Sequence, residues 1–285
     1  MAKRRLLLST LALAFALVVL TISAALADFK FVQITDTHVD TTRPDYNARY
    51  EEAIKQINAL SPAFVIHTGD ALEHFTADNA ALFKEISKSL KPKLYSIPGN
   101  HDVGHKKSLD GAITEERRDA WMKAMGYDRV SFEHEGCVFI GLNSSLLGSG
   151  LAAEKTQMDW LKSELGKAAG KRIFVFQHFP IFDISPHEKS GGYFNTDEPA
   201  RSELLALLKK HNVEAVLSGH MHRFHEAYMD GVCHLTTPAL SFSCSPDKGL
   251  TGYRVFSVVD GAFTTWFVDL RKGGTPPDFT AVEVE

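Results

Sequence analysis

The fold of this chain is decided by the stretch FKFVQITDTH at residues 29–38. Its first seven residues are mostly apolar or β-branched, a composition that favours a buried strand. The stretch then ends in two polar side chains, Asp36 and His38, separated by one residue. Ligands of open α/β sheets bind outside the carboxyl ends of the strands. This order therefore predicts a strand that delivers two side chains to a binding site.

The same order, an apolar segment followed by polar residues, recurs four more times along the chain. The recurrences are Gly69-Asp70, Gly99-Asn100-His101-Asp102, Gln177-His178-Phe179-Pro180 and Gly219-His220-Met221-His222. A single histidine or aspartate after a strand is usually an ordinary loop residue. Five such groups, all at the ends of predicted strands, instead indicate one shared site.

Apolar strand segments alternate with amphipathic helical patterns in the first third of the chain. We predict strands over residues 29–35, 63–67 and 93–97, and helices over residues 46–60 and 77–90. Strands that are separated by helices form parallel βαβ units. The first third is therefore predicted to build a parallel sheet.

The rest of the chain adds hairpins to this pattern. We predict hairpins that join residues 130–134 to 137–143, 226–229 to 233–237 and 253–259 to 263–268, helices over 157–165 and 199–210, and strands over 173–178 and 213–218. This order predicts the α/β class, with two packed sheets and helices outside them. No repeat or Ser/Gly linker divides the chain, so we predict one domain over residues 28–270 and a C-terminal tail over 271–285.

The first 27 residues have the order of an export signal. Three basic residues precede a long apolar run, and Ala25-Leu26-Ala27 matches the small-x-small pattern of a signal peptidase site. We expect residues 1–27 to be a cleaved signal peptide, and the protein to be periplasmic or secreted with no stable membrane anchor. An uncleaved anchor is the alternative, because residues 6–26 are nearly long enough to span a bilayer. The Arg4-Arg5 pair leaves general and twin-arginine export open.

The net charge argues against polymeric nucleic acid as a partner. The chain has a formal charge of −4, and removing the three basic residues of the signal segment takes this charge to −7. An acidic protein gains nothing from attraction to a phosphate backbone. We therefore expect a small substrate. Nothing in the sequence indicates an oligomeric state.

The residue types in the five groups are those of a metal centre. Carboxylate, amide and imidazole ligands suit Mn, Fe and Zn alike, and the groups contain no thiolate. Asp36 and His38 can reach one cation from a single turn. Two cations that lie roughly 3.5–4 Å apart need a bridging carboxylate, and Asp70 is the candidate. The other candidate ligands are Asn100, His178, His220 and His222. We predict two divalent or trivalent metal ions.

The motifs and their order resemble the calcineurin-like metallophosphoesterase superfamily over essentially the whole chain after residue 27. This resemblance implies a four-layer α/β/β/α sandwich of two mixed sheets, flanked by helices, and a metal-dependent phosphoric ester hydrolase. It also implies two ligand sets. These sets are Asp36, His38, Asp70 and His222 on one metal, and Asp70, Asn100, His178 and His220 on the other.

The resemblance also implies a catalytic role for His101, which is not a ligand. A hydroxide that bridges the metals is expected to attack phosphorus, and His101 to protonate the leaving group as a general acid. In the superfamily's protein phosphatases, an Asp three residues after the Gly-Asp motif holds this histidine. Glu73 occupies that position here, as either an orienting partner or an exposed residue at a helix start. Asp102 is expected to bond to backbone in its own loop.

Differences between these motifs and those of individual branches of the superfamily indicate which branches the chain resembles most. Protein phosphatases carry Asp-Arg-Gly where this chain has Glu73-His74-Phe75, so the substrate-binding Arg of that branch is missing. Purple acid phosphatases use a Tyr ligand shortly after Gly-Asp, which this chain lacks. The motifs look more like the cyclic-nucleotide phosphodiesterase and small calcineurin-like phosphatase branches. Tyr193-Phe194-Asn195 and Leu142-Asn143-Ser144 resemble the small-phosphatase branch.

Four residues outside the ligand set are candidates for orienting groups or for substrate binding: Glu73, Asn143, Tyr193 and Arg223. Tyr193 either stacks on a substrate ring or anchors its loop to the core. Arg223 either binds phosphate or forms a salt bridge. Asn143 either lies near the metals or caps a turn.

The expected function is hydrolysis of small phosphate mono- or diesters by an exported enzyme. The alternatives are a 3′,5′-cyclic-nucleotide phosphodiesterase, a catalytically silent metal-binding member and a cell-envelope scaffold. The three cysteines leave a second question open. Either Cys233 and Cys244 form a disulfide, or all three, including Cys137, are buried free thiols.

Overall fold

A computed structural model of the chain describes residues 28–272, apart from residues 107, 109–110, 190–191 and 245–248. The predicted signal peptide and residues 273–285 of the predicted tail lie outside this range. In chain order the α-helices and strands are β1 (Phe29–Ile34), α1 (Pro44–Leu60), β2 (Phe64–His67), α2 (Ala77–Ser87), β3 (Lys93–Ser96), α3 (Asn100–Val103), α4 (Glu115–Met125), β4 (Val130–His134), β5 (Cys137–Gly141), α5 (Ala152–Lys167), β6 (Arg172–Phe176), α6 (Ala200–Lys210), β7 (Ala215–Ser218), β8 (His225–Met229), β9 (Val232–Thr236), β10 (Gly252–Val259) and β11 (Ala262–Asp269).

The first sheet contains five strands in the order β11-β10-β1-β2-β3. Its central strand β1 pairs in parallel with β2, and β2 pairs in parallel with β3. On its other side β1 pairs antiparallel with β10, which forms a hairpin with β11. The chain therefore returns from its C-terminal region to complete the sheet that its first strand began.

The second sheet contains six strands in the order β4-β5-β6-β7-β9-β8. Strands β5, β6, β7 and β9 are parallel, while β4 and β8 pair antiparallel at the two edges. Both sheets are therefore mixed. Each contains a set of adjacent parallel strands whose carboxyl ends point in the same direction.

An aromatic cluster fills the space between the two sheets. Its buried phenylalanines are Phe29, Phe31, Phe64, Phe139, Phe174, Phe176 and Phe256. Phe31 stacks on Phe256 within the first sheet, and its ring lies edge-on to Phe139 of the second sheet at 5.1 Å. A fully buried phenylalanine contributes on the order of 1.5–3 kcal/mol, so this layer holds the sheets together.

Helices cover the outer face of each sheet. Residues of α1, α2 and α4 pack with the first sheet in one apolar cluster, and residues of α5 and α6 pack with the second sheet in another. The layers therefore follow the order α/β/β/α, and the predicted four-layer sandwich of two mixed sheets is confirmed. Among the described helices, none combines the length and apolar character that crossing a membrane requires.

The predicted strands agree with the structure to within about two residues at most ends, whereas two helices were missed. Helix α3 has four residues, too few to show a period. Helix α4 buries only Trp121 among its side chains, so its sequence has little amphipathic character. Helix α2 ends at Ser87, three residues earlier than predicted.

Candidate metal centre

Five loops place the predicted site residues at the carboxyl ends of strands in the two sheets. Asp36 and His38 follow β1, and Asp70 follows β2. Residues Asn100 and His101 begin α3, just beyond β3. The second sheet supplies His178 after β6, and His220 and His222 after β7. All eight side chains are buried except that of His101, which is 23 % exposed.

The backbone at this edge adopts conformations that non-glycine residues rarely take. Positive φ angles occur at five of the eight residues, namely Asp36, His38, Asp70, His220 and His222. Such residues cost on the order of 1–3 kcal/mol each and cluster at functional sites. The strain thus marks the same loops that the sequence motifs identified.

Two glycines in the motifs allow the loops to approach one another closely. A Cβ atom on Gly99 would collide with the side chain and backbone of Asp70. A Cβ atom on Gly219 would collide with Thr35 and with the Asp36 carboxylate. Glycine is therefore required at both positions for the Asp and His loops to meet.

One group of donor atoms surrounds the Asp36 carboxylate. Its Oδ1 lies 3.1 Å from Nε2 of His222 and 3.9 Å from Nε2 of His38. Its Oδ2 accepts hydrogen bonds from the Thr35 hydroxyl and from the amide of His220. The atoms of Asp36, His38 and His222 lie close enough together to hold one metal ion.

A second group surrounds Nε2 of His178. Within 3.0–3.2 Å of this nitrogen lie Oδ2 of Asp70, Oδ1 of Asn100 and Nδ1 of His220. Asp70, His178 and His220 can together hold a metal ion. The Asn100 oxygen adds a fourth donor to this group.

Asp70 connects the two groups. Its Oδ2 lies 3.1 Å from His178 in the second group and 3.9 Å from Nε2 of His38 in the first. Its Oδ1 accepts the amide hydrogen of His101, and Nε2 of His101 lies 4.0 Å from Oδ2. The Asp70 carboxylate is thus the one placed between both sets, as a bridging ligand must be.

Backbone carbonyls fix the tautomers of three histidines. A carbonyl oxygen only accepts, so Nδ1 of His178 donates to Thr68, Nδ1 of His222 donates to Phe242, and Nε2 of His220 donates to Tyr193. The other nitrogen of each ring then faces the cluster, where it can bind a proton or a metal ion. Metal-ligating histidines characteristically donate their second nitrogen in this way.

The donor atoms fit metal ions. Nδ1 of His220 and Nε2 of His178 face each other at 3.2 Å although the other nitrogen of each ring already donates to a carbonyl. Nε2 of His38 is buried and makes no hydrogen bond with the part of the protein that is described. Ring nitrogens and carboxylates that converge in this way hold either a shared proton or a metal cation between them, and imidazole and carboxylate donors suit Mn, Fe or Zn.

The electrostatics of the cluster favour positive charge beside the two carboxylates. Burial alone would raise the pKa of Asp70, but attraction to His178 holds it well below the ordinary range, and Asp36 is lowered in the same way by His222. Burial works to lower the pKa of each partner histidine, but the carboxylates outweigh it and raise the pKa of His178 to about 9 and of His222 to about 10. Both carboxylates are therefore ionised at neutral pH.

Glu73 contacts two of the site histidines with different atoms. Its carboxylate Oε2 lies 2.8 Å from Nδ1 of His38. Its backbone carbonyl accepts a hydrogen bond from Nδ1 of His101 at 2.7 Å. The residue therefore orients His101 through its backbone, while its charge is directed to His38. It does not have the fully exposed position that was the alternative.

Asp102 organises the loops beneath the site. Its carboxylate accepts hydrogen bonds from the amide of Gly99 in its own loop and from the amides of Ala71 and Leu72 in the Asp70 loop. The expected bond within its own loop is present, and the two further bonds tie it to the neighbouring motif. Burial, together with repulsion from Asp70, raises the pKa of Asp102 to about 7.

The structure distinguishes between the two predicted roles of Tyr193 and between those of Arg223. The Tyr193 hydroxyl accepts a hydrogen bond from the Asn100 amide, and its carbonyl accepts one from His220, so the residue anchors its loop to two candidate ligands. Arg223 forms a salt bridge with Asp183. The structure thus shows the anchoring and salt-bridge alternatives for these two residues.

Asn143 is buried between the second sheet and α5. Its backbone amide and carbonyl both bond to the Gln157 side chain. Its own amide group makes no hydrogen bond within the described part of the chain. The structure therefore shows no hydrogen bond from this side chain to a described ligand candidate, and its proximity to the metals stays a prediction.

The cysteines are free. Cys137 is buried, Cys233 is partly buried and Cys244 is exposed. The predicted alternative of a Cys233–Cys244 disulfide is absent, and the expectation of three buried thiols holds for Cys137 but is wrong for Cys244 and for the partly buried Cys233.

Sequence reasoning missed the groups that support the ligands. Ser144 Oγ accepts hydrogen bonds from the amides of His178 and Phe179. Thr68 and Phe242 act through backbone carbonyls, which every residue possesses. No side-chain pattern distinguishes such backbone partners. Ser144 was named with Asn143 as a residue near the metals or a turn cap, but its bonds to the His178 loop were not predicted.

A family profile described as calcineurin-like phosphoesterase (Metallophos) matches residues 29–224. This range contains all five motifs. It ends before β8, so the last two hairpins lie beyond the matched segment.

Two curated relatives cover most of the chain. Mouse serine/threonine-protein phosphatase CPPED1 is 28 % identical over 248 residues, which is 80 % of this chain and 76 % of the relative. The probable glycerophosphodiester phosphodiesterase GpdQ of Arcobacter nitrofigilis is 28 % identical over 227 residues, which is 76 % of this chain and 80 % of the relative. Their names place one relative among monoesterases and the other among diesterases.

A solved structure shows the same fold at lower identity. GAP50, described as the anchor in the inner membrane complex of Plasmodium, superposes with a TM-score of 0.63 at 18 % identity, over 90 % of this chain and 89 % of that protein. The likeness is one of fold.

Proposed function

The chain belongs to the calcineurin-like phosphoesterase family and is a phosphoric ester hydrolase, and from that premise we propose that it is an exported enzyme that hydrolyses small phosphate mono- or diesters at a two-metal centre. The observation that carries the proposal is the position of Asp70 between the two groups of donor atoms. A single cation would need only one of these groups.

The proposed ligand sets follow the donor groups. One metal is assigned to Asp36, His38, Asp70 and His222, and the other to Asp70, Asn100, His178 and His220. Cations bound there would supply Lewis acidity toward the phosphate oxygens and would make water acidic enough to act as a nucleophile near neutral pH. Proton transfer to the leaving group would be carried out by a side chain of the protein.

His101 is proposed as the general acid for the leaving group. Its Nδ1 donates to the Glu73 carbonyl, so the proton that it can give or take is on Nε2. This nitrogen faces Asp70 at 4.0 Å, and the side chain is partly exposed, so a substrate can reach it. A positioned histidine typically contributes 10²–10⁴-fold to proton transfer, as an order of magnitude.

Two substrate classes remain under this proposal. The phosphatase relative favours monoesters, including phosphorylated proteins, and the phosphodiesterase relative favours diesters, among which cyclic nucleotides were an expectation from the motifs. A catalytically silent metal-binding member is the second candidate. The intact His101, held by Glu73, favours an enzyme over this candidate.

Export is proposed from residues 1–27 alone. Sequencing the N-terminus of the protein recovered from the cell envelope or medium tests it. A start at Asp28 is expected, and a start at Met1 would overturn the cleavage.

Turnover assays test the catalytic proposal. With Mn²⁺, the purified protein is expected to hydrolyse 4-nitrophenyl phosphate or its bis-ester, and Asp70→Asn should lower kcat by at least about 10²-fold, because the bridging charge is lost. Asp230→Asn is the matched control, since Asp230 lies in an exposed turn and pairs only with Lys209. Equal activity of Asp70→Asn and the native protein would sink the two-metal proposal.

A further inference from the structure

A cavity of about 330 Å³ opens beside the candidate general acid. His101 forms one wall, and His74 and Phe75 lie next to it. The first turn of α4 forms the opposite wall through Glu116 and Arg117. The cavity thus lies on the His101 side of the metal centre and is lined by charged side chains that the ligand sets do not include.

Arg117 is seated over two glycines that follow the Gly-Asn-His-Asp motif. A Cβ atom on Gly104 would meet Nη1 of Arg117 at 2.8 Å, and one on Gly111 would meet Nη2 at 3.1 Å. The exposed Arg117 side chain thus packs its guanidinium against both glycines. Gly104 directly follows α3, the helix that begins with Asn100 and His101, so the position of Arg117 is tied to the loop that carries the general acid.

Among the residues that the structure describes, Arg117 forms no ion pair. Within the described residues its guanidinium bonds only to the carbonyl of Gly111, at 3.5 Å. Its neighbour Arg118, by contrast, pairs with Asp128 and Glu115. A guanidinium presents a planar fork of donors that matches carboxylate and phosphate groups. Arg117 can therefore receive an anionic group that enters the cavity.

The position of the cavity identifies which part of a substrate would occupy it. A general acid protonates the oxygen of the leaving group, so the leaving group of a bound ester must lie beside His101. The alcohol portion of the ester then points into the cavity, toward α4. A group that carries a negative charge a few bonds from the ester oxygen would reach Arg117. Glu116 in the same wall accepts a positive group next to it.

We propose that this cavity is the leaving-group subsite and that Arg117 selects phosphate esters whose alcohol carries a second anionic group. The inference rests on the proposed function, because it places the scissile phosphate at the metal centre. O-phosphoserine fits the subsite, with its carboxylate toward Arg117 and its ammonium toward Glu116. O-phosphoethanolamine has the same ester and ammonium but no carboxylate.

The test compares these two esters. In the native protein with Mn²⁺, kcat/KM for O-phosphoserine should exceed that for O-phosphoethanolamine by tenfold or more, roughly the value of a charge-assisted hydrogen bond. In Arg117→Gln the ratio should fall to near one, and Arg117→Lys should give an intermediate ratio, since it keeps the charge and loses the fork. Lys123→Gln removes the same charge from an exposed position of α4, outside the cavity, and should leave the ratio unchanged.

Calorimetric titration with the same two esters separates this inference from the proposed function. Tighter binding of O-phosphoserine that is lost in Arg117→Gln supports the subsite, even if neither ester is hydrolysed. The lack of hydrolysis would then contradict the proposed enzymatic function but not the subsite. Equal kcat/KM or equal affinity for the two esters in the native protein overturns the subsite. Turnover of nitrophenyl esters would then still support the phosphoesterase.

Discussion

The carboxylate of Glu73 lies 2.8 Å from Nδ1 of His38, on the side of the ring that faces away from the two aspartates. A carboxylate in this position keeps the proton on Nδ1 and directs the lone pair of Nε2 toward Asp36 and Asp70. It also increases the basicity of the ring as a ligand. Glu73 is therefore a positioning residue for His38.

Replacing Glu73 by Gln should weaken metal binding. The amide has nearly the same shape as the carboxylate, but the negative charge that makes the imidazole a better ligand is lost. We expect a drop in metal affinity on the order of 10- to 100-fold, measured by titrating Mn²⁺ into the metal-stripped protein. Glu51→Gln, on the exposed side of α1, is the control. An unchanged Mn²⁺ affinity in Glu73→Gln would contradict the positioning role.

Replacing Tyr193 by Phe should loosen one ligand of the second group. The variant loses the hydroxyl that accepts from the Asn100 amide, but keeps the backbone carbonyl that accepts from His220. We expect metal affinity to fall by roughly tenfold, at the low end of the range for such supporting groups. Stoichiometry by metal analysis at limiting Mn²⁺ should show one weakened site. Tyr228→Phe, at an exposed position of β8, should show two unchanged sites.

Removing the metals should lower the thermal stability of the native protein. A metal ion that binds the folded but not the unfolded chain stabilises the fold by linkage, by about 2.7 kcal/mol at a hundredfold excess over Kd. For a chain of this size that corresponds to a fall in Tm of about 5–10 °C on adding chelator. Differential scanning calorimetry measures it. In Asp70→Asn the same chelator should cause a clearly smaller shift.

The stability of the protein should fall with acid because of a histidine outside the centre. Burial lowers the pKa of His234 to about 4, and its ring packs against Phe182. In the unfolded chain this pKa returns to its ordinary value near 6.5. Between pH 6.5 and 4 the unfolded chain therefore binds a proton that the folded chain does not. The contribution of His234 to the free energy of unfolding is therefore largest above pH 6.5. It falls by up to about 3 kcal/mol as the pH falls toward 4.

Urea unfolding of the native protein and of His234→Leu at pH 7 and pH 4.5 measures this loss. The leucine variant should lose less stability between the two values than the native protein does. His187→Leu, at an exposed position, should behave as the native protein. An identical pH dependence in His234→Leu would show that other groups are responsible.

Much of the fold could be predicted because its physical signals are local. The segments that became β1, β2 and β3 are short apolar runs bounded by loops, and each strand appears within about a residue of its prediction. Helix α4 could not be predicted, because Trp121 is its one fully buried side chain and its other packing residues, Met122, Ala124 and Met125, are only partly buried. Its sequence therefore lacks a clear amphipathic period.

The candidate site was predictable as a set of residues but not as a set of contacts. The sequence identified Asp36, Asp70 and the ligand histidines because polar residues after buried strands converge at one sheet edge. It could not show that Glu73 turns its carboxylate to His38 and only its carbonyl to His101, since that choice depends on the path of the loop.

What the sequence alone determined is the reaction class, because the order of its Asp, Asn and His residues after strands allows little besides a metal-dependent phosphoesterase. What only the tertiary structure decided is which groups surround that centre. Arg223 forms a salt bridge with Asp183, whereas Arg117, which belongs to none of the five motifs, lies at the cavity beside His101. The physical reason is that charge partners are selected by the packing of distant loops, which no local pattern of residues records.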